Sequence, residues 1–167
     1  MLALLAAFSG CDAGNTPSGV DAEACAAPRE VVVNGVLSGN LLRLDSEDGE
    51  VVRLLGVTAP DPTAECFGPE AREALTELLL GQRVRLVFDA VCADPYGRTL
   101  AYVYASAHVE LPDGSGVRAE TLANAWMIRN GYATVYDEVD DFLRLDELRE
   151  AEDDAQRAEA GLWSVCR

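Results

Sequence analysis

Two arginines and an aspartate are the residues of this chain whose types and surroundings could act on a phosphate. Arg53 leads the short apolar run "RLLGVTAPD" (53–61), and Arg98 closes the turn "DPYGR" (94–98). A guanidinium offers a planar fork that donates two parallel hydrogen bonds to phosphate oxygens. Hydrolysing a phosphodiester needs more: a metal-held or base-activated water, and cations that neutralise charge building on the phosphorus oxygens. Asp61 is a carboxylate that follows Arg53's strand, in the Thr-Ala-Pro-Asp turn at 58–61. Each residue also has a plainer reading. Arginines at a barrel rim hydrogen-bond to carbonyls, and Asp after Ala-Pro is a common turn residue.

Such residues must be held by a frame. From Arg29 the chain alternates strand and helix signals. "EVVVNGVLSG" is β-branched and ends at a glycine turn, and "NLLRLDSEDGEVVRLLGV" reads as a hairpin around Ser46-Glu47-Asp48-Gly49. A helix is expected over "PEAREALTELLLG", with Pro69 at its start and Gly81 at its stop. Strands follow in "QRVRLVFDAV" and, after the loop "CADPYGR", in "TLAYVYA". Residues 107–118 read as a loop around Pro112-Asp113-Gly114. A second helix is expected over "AETLANAWMIRNG", and a third within 139–160 on the stripe Leu148, Ala151, Ala155, Ala158 and Leu162. Five strands with a helix after the third and helices at the end predict an α+β domain. Its core is a five-stranded OB-type Greek-key β-barrel with about three helices.

Composition bounds the partners. The 167 residues suffice for one domain with a real core. They carry 29 acidic and 13 basic side chains, a net charge of −16 that repels polyanions at long range and disfavours nucleic acid as a partner, although a local basic patch could still bind DNA or RNA. The apolar run "LALLAAFSGC" is too short to span a bilayer and reads as an export signal over 1–11. Ser9-Gly10-Cys11 resembles a bacterial lipobox, with Cys11 as the lipidated residue. That arrangement predicts a membrane-anchored lipoprotein facing the periplasm or the cell surface, and a cleaved signal with an incidental cysteine is the alternative. Residues 12–28 read as a flexible tether before a domain over 29–167. Four further cysteines, Cys25, Cys66, Cys92 and Cys166, suggest two disulfides with three connectivities. Cys25–Cys166 would strap the domain closed, leaving Cys66 for Cys92. The lone His108 and the cysteine spacings argue against zinc.

The pieces "VVRLLGVTAPD", "CFGPEAREAL", "DPYGRTLAYVY", "NAWMIRNGYATV" and "GLW" occur in an order that resembles the staphylococcal nuclease-like (thermonuclease) family over about 30–165. That resemblance implies phosphodiester hydrolysis of DNA or RNA. It also implies calcium held mainly by two aspartates and a backbone carbonyl, a glutamate that orients or deprotonates water, and two phosphate-clamping arginines. Arg53 and Arg98 stand at the arginine positions. The acidic positions differ. Asn40, in Ser38-Gly39-Asn40-Leu41, replaces the first calcium-binding aspartate, Thr58 the second, and Asp61 the glutamate. Calcium favours several oxygens with carboxylates among them, so two neutral replacements lower its affinity. Asp61 reaches less far by about 1.5 Å, a misplacement that can cost on the order of a hundredfold in rate. The expectation is a nuclease-family scaffold with an impaired calcium centre and weak or absent activity. A non-catalytic OB-fold binding module of the cell envelope is the alternative. Tyr96 and Tyr104 could stack on a base or pack at the rim. Trp126 and Trp163 are expected in the core, and Asn124 as a structural residue that satisfies backbone groups.

Overall fold

The computed structural model describes residues 27–110, 116–136 and 142–166. Cys11, Cys25, most of the tether and the His108 side chain lie outside the described residues. Strand β1 (Arg29–Ser38) is long and bent. Its first half pairs antiparallel with β5 (Arg83–Val87), and its second half pairs with β2 (Leu41–Leu44) through register shifts at Val33/Gly35 and Val36/Ser38. Irregularities of this kind let one strand turn a barrel corner and serve two neighbours. β2 pairs with β3 (Val51–Leu54), and β5 pairs with β6 (Thr99–Glu110). The parallel pairing of β3 with β6, Val52 opposite Thr99 and Arg53 opposite Leu100, closes the expected five-stranded barrel.

Alternation fills its interior: Val33, Leu42, Leu44, Val52, Leu54, Val84, Leu86, Ala101 and Val103 are all buried. Helix α1 (Gly68–Leu79) caps the barrel with Ala71, Leu75 and Leu79, starts with Pro69 in its first turn, and is followed by Gly81 at φ 75°. Asn124 is fully buried at the start of α2 (Ala123–Arg129). Its Oδ1 accepts from Val103 N (2.9 Å), while its Nδ2 donates to Leu55 O (2.8 Å) and Ala101 O (3.2 Å), the structural role expected of it.

Several expectations change. The segment 107–118 is paired rather than looped. β6 runs on to Glu110 and pairs with β7 (Gly116–Leu122) from Tyr104–Leu122 out to Glu110–Gly116. The Pro112-Asp113-Gly114 signal lies between these two strands and outside the described residues. Because 119–122 belong to that ladder, α2 starts at Ala123 rather than at 119. Helix α3 (Leu145–Arg157) buries Leu148, Ala151 and Ala155, but Ala158 is exposed. Leu162 opens a separate helix, α4 (Leu162–Val165), after the chain turns at Glu159 and Gly161, both at positive φ. Trp126 and Trp163 are half-buried rather than core, and Trp126 stacks on Tyr132 with centroids 5.7 Å apart.

The disulfide framework also differs. Cys66 is bonded to Cys166, which sets aside both Cys25–Cys166 and Cys66–Cys92, and Cys92 is itself disulfide-bonded. Packing explains the pairing. Phe67 stacks on Tyr132 at 5.7 Å, and the neighbouring Gly131 accepts a hydrogen bond from Leu162 N at 2.9 Å. The start of α1 and the end of α4 therefore meet on the same loop.

Candidate active site

Three chain segments converge at one end of the barrel. The turn between β1 and β2 carries Asn40. A Cβ on the preceding Gly39 would lie 2.8 Å from the Cβ atoms of both Ala59 and Ala71, so only glycine lets the turn, the Thr58–Asp61 segment and α1 approach so closely. Arg53 lies opposite Leu41 on one side and Leu100 on the other, which places it between that turn and the strand that Arg98 precedes.

Asn40 is fully engaged. Ser38 Oγ donates to its Oδ1 at 2.8 Å, its Nδ2 donates to Val57 O at 2.9 Å, and its own carbonyl accepts from Leu54 N at 2.9 Å. The Nδ2 bond requires a donor that a carboxylate lacks. Thr58 is exposed on β4 (Val57–Thr58), which pairs with β8 (Thr134–Val135). Asp61 caps its own turn. Thr63 N and Thr63 Oγ1 donate to its Oδ1 at 2.7 and 2.6 Å, and its N–H donates to Glu65 Oε2 at 2.6 Å. The two bonds from Thr63 hold the Asp61 carboxyl below its ordinary range. Among the described residues, no group of three or more His, Cys, Asp or Glu could hold a metal ion.

The arginines have different settings. Arg53 lines a cleft of about 500 Å³, and its guanidinium carbon lies 5.0 Å from the centroid of the Tyr136 ring. Leu54, Leu55, Leu100 and Phe142 make the cleft largely apolar, and Tyr96, 83% exposed, stands on its edge. Asp89 and Asp94 also line it, but their carboxylates are turned to internal work. Asp89 accepts from Tyr102 OH and Leu143 N (both 2.8 Å) and from Ala90 N (2.7 Å). Asp94 accepts from Tyr96 N (2.9 Å), Arg98 N (3.0 Å) and Arg98 Nε (2.5 Å). Burial opposes ionisation of both, but these bonds prevail and keep each carboxyl below its ordinary range. Burial, and then the bond to Asp89, push the Tyr102 phenol well up.

Among the described residues, no carboxylate pairs with Arg53. Arg98 is tied to Asp94 through Nε, and its guanidinium carbon lies 5.1 Å from the Tyr96 ring centroid. Arg98 therefore borders the cleft through Tyr96 rather than lining it. Tyr104 has left the question of base stacking: it is buried between Arg85 and Arg144, at 4.4 and 5.8 Å. Sequence reasoning missed Tyr136. Its signal was an aromatic at the end of a two-residue strand, too short to stand out. Also missed was a second cavity of about 290 Å³ beyond Tyr136, lined by Thr58, Thr134, Arg149, Glu152 and Trp163.

The OB-type barrel thus presents at one rim a cleft lined by Arg53, which has no carboxylate partner among the described residues, by the half-buried Tyr136 and by the exposed Tyr96. The sequence comparisons narrow the class to which this barrel belongs. The model of the staphylococcal nuclease homologue family matches residues 51–165, and this chain belongs to that family. It is 29% identical to the thermonuclease of Staphylococcus intermedius, over 79% of this chain and 74% of that protein. It is 28% identical to the thermonuclease of Staphylococcus hyicus, over 77% and 72% respectively. A 32% match to staphylococcal nuclease domain-containing protein 1 of Schizosaccharomyces pombe covers 80% of this chain but 15% of that longer protein.

Proposed function

We propose that the cleft at Arg53 binds single-stranded nucleic acid or its fragments, and that metal-dependent phosphodiester hydrolysis is weak or absent in this member of the nuclease family. The observation that carries this reading is a contrast. Arg53 lines the cleft with no carboxylate partner among the described residues, whereas Oδ1 of Asn40 and Oδ1 of Asp61 accept bonds from within their own turns. The guanidinium takes a phosphate, and Tyr136 and Tyr96 offer faces for a base. A calcium ion does not fit the donor set that remains: a neutral amide bonded at both ends, a neutral hydroxyl, and an aspartate whose Oδ1 already accepts two bonds. The −16 charge favours the second reading, a non-catalytic OB-fold module of the cell envelope that binds some other partner.

We read the chain as exported and anchored to the membrane only through lipid on Cys11. The Cys66–Cys166 disulfide supports an oxidising compartment.

Incubating the oxidised domain with single-stranded DNA and RNA, in calcium and in EDTA, tests the reading. Binding is expected in both, weakened about tenfold by Arg53→Ala, the worth of one charge-assisted hydrogen bond. Cleavage is expected to be slow or absent. The triple variant Asn40→Asp, Thr58→Asp, Asp61→Glu should gain calcium-dependent cleavage, and Asn40→Asp should be destabilised without calcium because it loses the bond to Val57 O. Vigorous calcium-dependent cleavage by the unmodified domain, abolished by Arg53→Ala and Arg98→Ala, would sink the reading.

A further inference from the structure

Phe142 forms part of the wall of the Arg53 cleft, and its ring lies against Gly56. A Cβ added to Gly56 would come within 2.7 Å of Phe142 Cε2 and Cζ. Gly56 O also accepts from Tyr136 N at 3.0 Å. Gly56, at φ 74°, thus meets two aromatic residues of the cleft, one through its carbonyl and one through its bare Cα. The backbone after Phe142 is caught by an internal pair. Asp89 Oδ2 accepts from Leu143 N and from Tyr102 OH, both at 2.8 Å, and Tyr102 OH accepts in turn from Arg144 N at 3.2 Å. Tyr102 is buried on β6 opposite Val87, two residues before Asp89, which fixes its hydroxyl beside the carboxylate. Arg144 immediately precedes α3, so these two consecutive amides are held where no helix bond serves them. Leu143, 81% exposed, adds little packing to the segment.

We propose that Asp89 is a positioning residue of the Arg53 cleft. Through Leu143 N and the Tyr102 hydroxyl it holds Phe142 against Gly56, and so shapes the space that a nucleotide enters. The proposal rests on the nucleic-acid reading of the cleft. Charge alone predicts the opposite role, because a carboxylate on the wall of a cleft repels an anion. The two roles separate in a pair of variants. Asp89→Asn removes the charge but keeps an oxygen that accepts from Leu143 N and Tyr102 OH, whereas Asp89→Ala removes both charge and acceptor.

Fluorescence anisotropy with a labelled single-stranded oligonucleotide in EDTA, at a temperature where circular dichroism shows each variant folded, tests this. Asp89→Ala should bind about tenfold more weakly than the unmodified domain, as expected if the wall is in place about one-tenth of the time. Asp89→Asn should bind at least as tightly as the unmodified domain. The disulfide-free variant Cys66→Ser, Cys166→Ser, destabilised without touching the cleft, should bind like the unmodified domain. Amide hydrogen exchange supplies a readout without ligand: Leu143 and Arg144 should exchange faster in Asp89→Ala, while Ala71 in α1 keeps its rate. Should Asp89→Ala not fold, Tyr102→Phe, which removes the acceptor of Arg144 N and one donor to Asp89, carries the same test with a smaller loss. Undiminished binding by Asp89→Ala, a loss in Asp89→Asn as large as in Asp89→Ala, or unchanged exchange at Leu143 and Arg144 overturns the positioning role and leaves the Arg53 cleft standing. Failure of the unmodified domain to bind overturns the cleft reading, and the positioning role with it.

Discussion

Gly131 and Gly161 meet backbone to backbone. A Cβ built on Gly161 would lie 2.3 Å from Gly131 O, and one on Gly131 would lie 2.1 Å from Ala160 O. Both residues also have positive φ, 71° and 52°. This contact joins "RNGYA" and "GLW", which are separated by some thirty positions in the sequence. They are two halves of one junction, and the junction carries α4 and Cys166 to the start of α1.

Gly131→Ala is therefore expected to cost at least about 2 kcal/mol, combining a steric clash with a left-handed backbone. Gly97→Ala, at φ 77° with nothing within 4 Å of the added Cβ, isolates the backbone part and should cost about 1 kcal/mol. Urea denaturation of both variants measures the difference. Equal costs would mean that the junction relaxes to accept a methyl group.

Asn124 joins α2 to the β6 strand and to Leu55 through its three hydrogen bonds. Asn124→Ala leaves Val103 N without that acceptor, Leu55 O and Ala101 O without that donor, and a small void besides. The expected loss is about 3 kcal/mol, read from the denaturation midpoint at unchanged m-value.

The Cys66–Cys166 bond closes a loop with a sequence separation of 100. Replacing both cysteines with serine should destabilise the domain by about 2–5 kcal/mol, chiefly by freeing the unfolded chain. Thermal unfolding of the double variant checks this. A melting temperature that does not move would show that the packing around Gly131 suffices without the bond.

Asp89 and Asp94 give the domain a definite acid response. Both carboxyls lie below their ordinary range in the folded protein. Their stabilisation is thus complete above the unfolded value of about pH 4 and is lost as the pH falls through the depressed folded values. Asp94→Asn should lower stability at pH 7 by about 2 kcal/mol, the worth of a charge-assisted bond, and flatten the decline between pH 4 and pH 2. Denaturation midpoints measured across that range give both numbers. Undiminished acid sensitivity in Asp94→Asn would place the titrating group elsewhere.

The sequence by itself determined the barrel, the capping helix α1 and the family, because these rest on local signals. Alternation in Val84 and Leu86, Pro69 at a helix start, and the turn residues of "DPYGR" act within a few positions of themselves. The identities of Asn40, Thr58 and Asp61 were equally legible, since each is a side chain read directly in the sequence. Tertiary structure decided what these residues do. Asn40 bonds to Val57, seventeen positions away, and Asp94 takes one edge of Arg98 while Arg53 faces the cleft. The disulfide pairing and the full length of β6 were settled in the same way. Both depend on which distant segments the closed barrel brings together, and no local pattern encodes that choice.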